Sequence, residues 1–275
     1  MILYRTKQGA LVEHQDRYFP LDDDWDELVN RDDLSTYLQG ACDASAPAGE
    51  VSLEAVIQTP LASQEIWAAG VTYFRSRTAR MEESQAAGGS DFYDRVYHAD
   101  RPELFLKATP HRAVGHRQTL HLRSDSQWIV PEPELTLAVT RRGTIVGYTI
   151  GNDLSCRDIE GENPLYLPQA KTFDACAAVG PGIYVTDQPL PGGTRIELTI
   201  ERLGEPIFEG NTALDQLKKP PRQLVDYLYR DNSFPHGCLL MTGTGIVPPD
   251  GFSLQSGDTV HIRIDRIGTL TNSVA

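Results

Sequence analysis

Two strand patterns that meet at a glycine turn place the strongest constraint on how this chain can fold. From Trp128 to Thr140, Leu135, Leu137 and Val139 recur at period two, with Glu132 and Glu134 on the opposite face. A second pattern runs from Thr144 to Asp153. Arg142-Gly143 between them reads as a two-residue turn, glycine supplying a positive φ. In that register Arg141 faces Thr144, Glu132 faces Asp153 and Glu134 faces Gly151. Directly opposed side chains have Cβ atoms about 4.5–5.5 Å apart. Three carboxylates then crowd one face, and each pair costs roughly 3 kcal/mol at an effective dielectric of about 20. A divalent cation offsets that repulsion. Oxygen-only ligation favours Mg²⁺, with Mn²⁺ or Ca²⁺ as poorer fits. Spacing alone equally allows a solvated strand face with the glutamates turned outward. One extra turn residue would move Asp153 to the other face.

The bulk properties narrow the field. The chain has 275 residues, 40% of them hydrophobic and 23% charged, enough for a sizeable core in one or two domains. Its net charge is −13 and no Lys/Arg-rich stretch offsets it, so no nucleic-acid partner is expected. No apolar run approaches the roughly 20 residues that span a bilayer, and no secretory leader pattern is present, so no membrane association is expected. Cys42, Cys156, Cys176 and Cys238 form no CxxC pair and have no histidine at zinc spacing, which fits reduced thiols in the cytoplasm. His116 and His121 read as residues of a surface strand.

Residues 1–59 read as a small separate α/β unit. Met1–Tyr4 and Ala10–Tyr18 are strand patterns joined by Gln8-Gly9. Asp22-Asp23-Asp24 opens a helix, where acidic residues suit the macrodipole better than they suit a metal. From residue 60 to 275, short strand patterns recur between Gly and Pro, with helical patterns mainly at 74–87 and 220–230. The expected class is α+β, mostly antiparallel. The polar segment Arg75–Asp100, with Gly88-Gly89-Ser90 inside it, fits either a glycine-hinged lid or a plain surface helix and loop.

Several residues could carry chemistry. Ser155 and Asp158 match a helix-capping pattern, and Arg157 with Asp158 reads as holding that turn together. Lys171 could bind an anion or act as a base, although a lone lysine is usually a surface charge. Thr242-Gly243-Thr244-Gly245 is a small turn able to receive an anionic group, without Walker or Rossmann spacing. Glu103 opens a strand and reads by default as a surface ion-pair partner. No serine-hydrolase elbow is present.

Taken in order, Pro131-Glu132-Pro133-Glu134-Leu135, the run Gly147 to Asp158, Lys171, Thr242-Gly243-Thr244 and Ile267-Gly268-Thr269-Leu270 resemble the fumarylacetoacetate hydrolase superfamily from about residue 60 to the end. The resemblance implies a mixed β-roll, Mg²⁺ held by Glu132, Glu134 and Asp153, and a 2-oxo acid ligand. It also implies an active-site Lys171, substrate contacts at Gly243 and Thr244, and a homodimer or homotetramer. Hydrolytic members carry a histidine and a glutamate where this chain has Ser76 and Ala79, which weighs against carbon–carbon hydrolysis. Arg101-Pro102-Glu103, Phe105 to Pro110, Arg123 to Ser126 and Glu162 to Gln169 look like the 2-keto-3-deoxy-pentonate dehydratase branch. That branch implies Glu103 and Lys171 as the acid/base pair and 2,5-dioxopentanoate as product, in oxidative pentose breakdown. An acylpyruvate-type hydrolase or decarboxylase, and a non-catalytic sugar-acid-binding protein, remain the alternatives.

Overall fold

The computed structural model describes residues 1–83 and 90–275. It opens with a meander, β1 (Ile2–Thr6), β2 (Gly9–His14) and β3 (Arg17–Leu21). The single strand expected over Ala10–Tyr18 is two strands, because Gln15 and Asp16 both turn at positive φ. Helices α1 (Trp25–Val29), α2 (Leu34–Ala44) and the one-turn α3 (Leu53–Val56) follow. Asp24 caps α1 by accepting from Glu27 N at 3.1 Å, as the acidic run predicts.

The chain then forms β4 (Glu65–Gly70), α4 (Phe74–Glu83), α5 (Ser90–His98) and β5 (Glu103–Ala108). Gly88 and Gly89, the expected hinge, lie outside the described residues. Short β6 (Ala113–Val114), β7 (Thr119–Leu120) and β8 (Ile129–Val130) precede the hairpin of β9 (Pro133–Val139) and β10 (Ile145–Asp153). Next come β11 (Ser155–Cys156), α6 (Arg157–Glu162), α7 (Leu167–Lys171) and β12 (Ala177–Val185). The remainder is β13 (Arg195–Arg202), β14 (Glu205–Ala213), α8 (Pro221–Leu228), β15 (Cys238–Met241), β16 (Thr259–Ile264) and β17 (Gly268–Val274).

Among the described residues the main sheet runs β3-β2-β1-β12-β10-β9-β15-β4-β5, with β6 beside β12, and a second sheet runs β14-β13-β16-β17-β7. Most pairs are antiparallel; β4–β15, β6–β12 and β7–β17 are parallel. This is the α+β architecture that the sequence predicts. Residues 1–59 are joined edge to edge to the rest: β1 pairs β12 through Ile2↔Tyr184 and Leu3↔Ile183. Leu3, Val12 and Leu38 share one core with Leu137 and Ile150. A three-stranded meander has an open edge and an apolar face, and β12 satisfies the edge. Among the described residues no helix is long and apolar enough to cross a membrane.

The hairpin differs from expectation in two ways that cancel. Thr140, not Arg141, pairs with Thr144: Thr140 N donates to Thr144 O at 2.9 Å, and Gly143 N to Thr140 O at 2.9 Å. The loop therefore holds three residues, with Gly143 at φ 79°. A bulge between Ile145 and Gly147 then shifts the register by one, so that Gly151 does face Glu134. Asp153 N donates to Glu132 O at 3.0 Å. The pattern read as one strand from Trp128 to Thr140 is broken at Pro131-Glu132, because proline offers no ladder N–H, and β8 pairs β11 instead. His116 and His121 lie in the connections around β7 rather than on a strand.

Candidate active site

Glu132, Glu134 and Asp153 meet in the interior. One ligand oxygen from each lies within 4.8 Å of the others, and each residue is 4% exposed or less. Glu132 sits at the proline break, Glu134 on β9 and Asp153 at the end of β10, so the hairpin register brings them together. They line a small cavity with Ser76, Phe105 and Thr244.

Three buried cations answer these carboxylates. Lys171, at the end of α7, donates to Glu132 Oε2 at 2.6 Å, Asp153 Oδ2 at 3.0 Å and Ser155 Oγ at 2.6 Å. Its Nζ also lies 3.5 Å from Glu160 Oε1. Lys107 Nζ is 2.8 Å from Asp153 Oδ1. Arg157 donates to Glu132 Oε1 at 2.6 Å and lies 3.9 Å from Glu160 Oε2. Among the described residues four buried carboxylates thus face three cations, which leaves one net negative charge.

That excess falls on Glu134. Its Oε2 accepts from the backbone N–H of Gly243, and no described cation pairs with it. Burial, then the charges of Asp153 and Glu132, push its carboxyl well above the usual range. Among the described residues the donor set is three carboxylates with no histidine or thiolate on the cavity wall, which fits a hard divalent ion such as Mg²⁺.

The remaining expected site residues take distinct places. Glu103 opens β5 and is half-buried, with its carboxylate against Gly70, which lines the cavity; a Cβ on Gly70 would lie 2.0 Å from Glu103 Oε2. Thr244 lines the cavity, and its hydroxyl donates to Ile246 O at 3.1 Å while accepting from Ile246 N. The Gly243 N–H is engaged by Glu134. Gly243 has φ 93°, and a Cβ there would meet Thr72 Oγ1 at 2.0 Å and Ala69 O at 2.9 Å. Gly243→Ala is expected to destabilise the fold by roughly 2–4 kcal/mol, lowering Tm by about 5–10 °C in a thermal melt.

The capping expectation after Asp153 is corrected. Cys156, not Ser155, precedes α6, and no side chain caps it. Ser155 Oγ is turned to Lys171, and Asp158 accepts from Ser126 Oγ at 2.6 Å and Gln127 N at 2.7 Å. Arg157 leaves that turn for Glu132, because a buried carboxylate needs a charged donor more than a helix start does. Lys107, Ser155, Arg157 and Glu160 are therefore site residues that sequence reasoning missed. The available signals were a lysine inside the apolar run Leu106-Lys107-Ala108 and the i,i+3 spacing of Arg157 and Glu160.

Residues 66–275 match the fumarylacetoacetate (FAA) hydrolase C-terminal family, and the chain belongs to that family. A Haloferax volcanii protein named "Probable 2-keto-3-deoxyxylonate dehydratase" is 51% identical over 217 residues, 78% of this chain and 73% of that protein. The 2-dehydro-3-deoxy-D-arabinonate dehydratase of Saccharolobus solfataricus is 44% identical over 220 residues, 79% of this chain and 74% of that one. A solved 2-keto-3-deoxy-D-arabinonate dehydratase, complexed with magnesium and 2,5-dioxopentanoate, is similar with a TM-score of 0.86 at 34% identity, covering 100% of this chain and 98% of that chain. The family and branch read from the motifs are those that these proteins carry.

Proposed function

We propose that the protein is a magnesium-dependent hydro-lyase that converts a 2-keto-3-deoxy-pentonate to 2,5-dioxopentanoate. The observation that carries this reading is the buried Glu132, Glu134 and Asp153 cage with Lys171 among its oxygens, in a chain 44–51% identical to proteins named as such dehydratases. A dication held by the three carboxylates changes the local charge from one net negative to one net positive, which suits a monoanionic 2-keto acid. When bound, magnesium supplies a Lewis acid that polarises a 2-keto group and acidifies the neighbouring C–H.

The chain's own groups handle the protons. Lys171 Nζ, deep in the cage, is the proton-transferring group for C3. Glu103, on the far side of Gly70, serves the outer end of the substrate, where the C4 hydroxyl leaves as water. Loss of a C5 proton and tautomerisation give the aldehyde. Thr244 and the backbone of Gly243 form the wall that the acid lies against. Ser76, where hydrolytic relatives of the superfamily carry histidine, has its hydroxyl bound to Tyr73 O at 2.9 Å, so it supplies no base for a water. The side chain of Ala79 lies outside the described set. The four buried, unpaired cysteines fit a reducing cytoplasm, and we place the protein there as a homodimer or homotetramer.

Gly70→Ala tests the place of Glu103. The added methyl must displace that carboxylate, so kcat is expected to fall at least about tenfold while Mg²⁺ affinity, read by calorimetry, stays within about threefold. The function itself is tested by incubating the Mg²⁺-loaded protein with 2-keto-3-deoxy-pentonates and with an acylpyruvate. Coupled oxidation of 2,5-dioxopentanoate is expected from the former. Hydrolysis of acylpyruvate alone would overturn the reading.

A further inference from the structure

We infer that Lys107 is a positioning residue that locks Asp153 and Lys171 to one another, an inference that rests on the cage being the metal seat. Lys107 is fully buried on β5. Its ammonium donates to Leu154 O at 2.8 Å and to Lys171 O, and forms an ion pair with Asp153 Oδ1 at 2.8 Å. It is absent from the cavity wall, which Lys171 does line. It is therefore not a catalytic residue.

What it joins is informative. Asp153 and Leu154 end β10, and Lys171 ends α7. The Lys171 carbonyl lies in the last turn of a short helix, where carbonyls have no partner within the helix. Lys107 caps it. The Lys107 carbonyl reaches the same region from its other end, accepting from Thr172 Oγ1 at 3.2 Å and Cys176 Sγ at 3.6 Å. The segment that carries Lys171 is thus fastened to β5 through both the side chain and the backbone of one residue.

The consequence for Asp153 is directional. With Oδ1 held by Lys107, Oδ2 is the oxygen turned to Lys171 Nζ, 3.0 Å away. One ammonium therefore sets the rotamer of a cage carboxylate and the position of the lysine that shares it. Loss of such a partner behind a ligand typically costs 10–100-fold in metal affinity or activity. A displacement of about 1 Å at a reacting group costs on the order of 100-fold in rate.

The test uses Lys107→Met and Lys107→Gln in the full chain, with folding followed by circular dichroism and thermal melts. Mg²⁺ affinity is measured by calorimetry on chelator-treated protein without substrate, and kcat and KM are measured at saturating Mg²⁺. In a variant that folds, Mg²⁺ affinity is expected to fall about 10–100-fold, and kcat to fall about 100-fold with KM changed less than about threefold. Wild-type affinity, or a kcat restored by saturating Mg²⁺, would overturn the assignment whatever the Tm. If neither variant folds, Lys107 belongs to the fold rather than the site, and the assignment also falls. Wild-type protein that binds Mg²⁺ without dehydrating pentonates would sink the proposed reaction while leaving the calorimetric comparison decisive for Lys107.

Discussion

Glu134→Gln is expected to remove turnover, by roughly 10³-fold or about 4 kcal/mol of barrier, while making the metal-free protein more stable. Among the described residues Glu134 is the cage carboxylate with no cation paired directly to it; burial, Asp153 and Glu132 raise its carboxyl and Lys171 opposes them more weakly. Its carboxyl is raised in the folded protein, so folding favours the protonated form. The stability this contributes is present below the unfolded value of about 4.3 and is lost as pH rises through the raised folded value. The metal-free protein gives it up progressively as pH rises above the unfolded value. Glutamine mimics the protonated group at every pH, keeps the shape and still accepts from Gly243 N–H. The metal-free Tm should therefore rise by at least about 2 °C, the equivalent of roughly 1 kcal/mol in a chain of this size. The stabilisation that Mg²⁺ gives wild-type protein should disappear. A variant that stays active, or that loses metal-free stability, would remove Glu134 from the seat.

Lys171→Met should have the opposite effect on the metal and the same effect on rate. The Lys171 ammonium lies 2.6 Å from Glu132 Oε2 and 3.0 Å from Asp153 Oδ2. It therefore competes with any cation for those oxygens. One unit charge about 4 Å away is worth up to about 4 kcal/mol at an effective dielectric near 20, and relaxation reduces this. Mg²⁺ affinity should tighten at least about tenfold, read by calorimetry. Turnover should fall by roughly 10²–10⁴-fold, because methionine keeps the stem and moves no proton. Weaker Mg²⁺ binding would mean that Lys171 assists the metal, and an unchanged rate would return it to a structural role. The two variants together separate metal binding from proton transfer.

The parts of this site legible in the sequence are those written along one hairpin. Glu134 and Asp153 lie on two adjacent strands and Glu132 just before the first, where period-two patterning specifies both face and register. Even there the turn is misread by one residue, and only the bulge beside Val146 returns Asp153 to the cage face. The cations are a different matter. Lys107 meets Asp153 from 46 positions away in the chain, and Arg157 and Lys171 meet Glu132 from 25 and 39. A lysine in a strand reads as an exposed charge unless the burial around it is known, and burial is set by long-range packing. The N-terminal residues illustrate the same limit. Their strand and cap chemistry is local and readable, whereas the pairing of Ile2 with Tyr184 is not.

The most direct measurement is magnesium titration into chelator-treated protein supplied with a 2-keto-3-deoxy-pentonate, with formation of 2,5-dioxopentanoate followed by a coupled aldehyde dehydrogenase. No product should form without the ion, and the rate should climb to a plateau at one ion per chain, with Glu134→Gln flat throughout. Full-rate product formation in chelator, or none at saturating magnesium, would contradict a carboxylate seat that works on 2-keto acids.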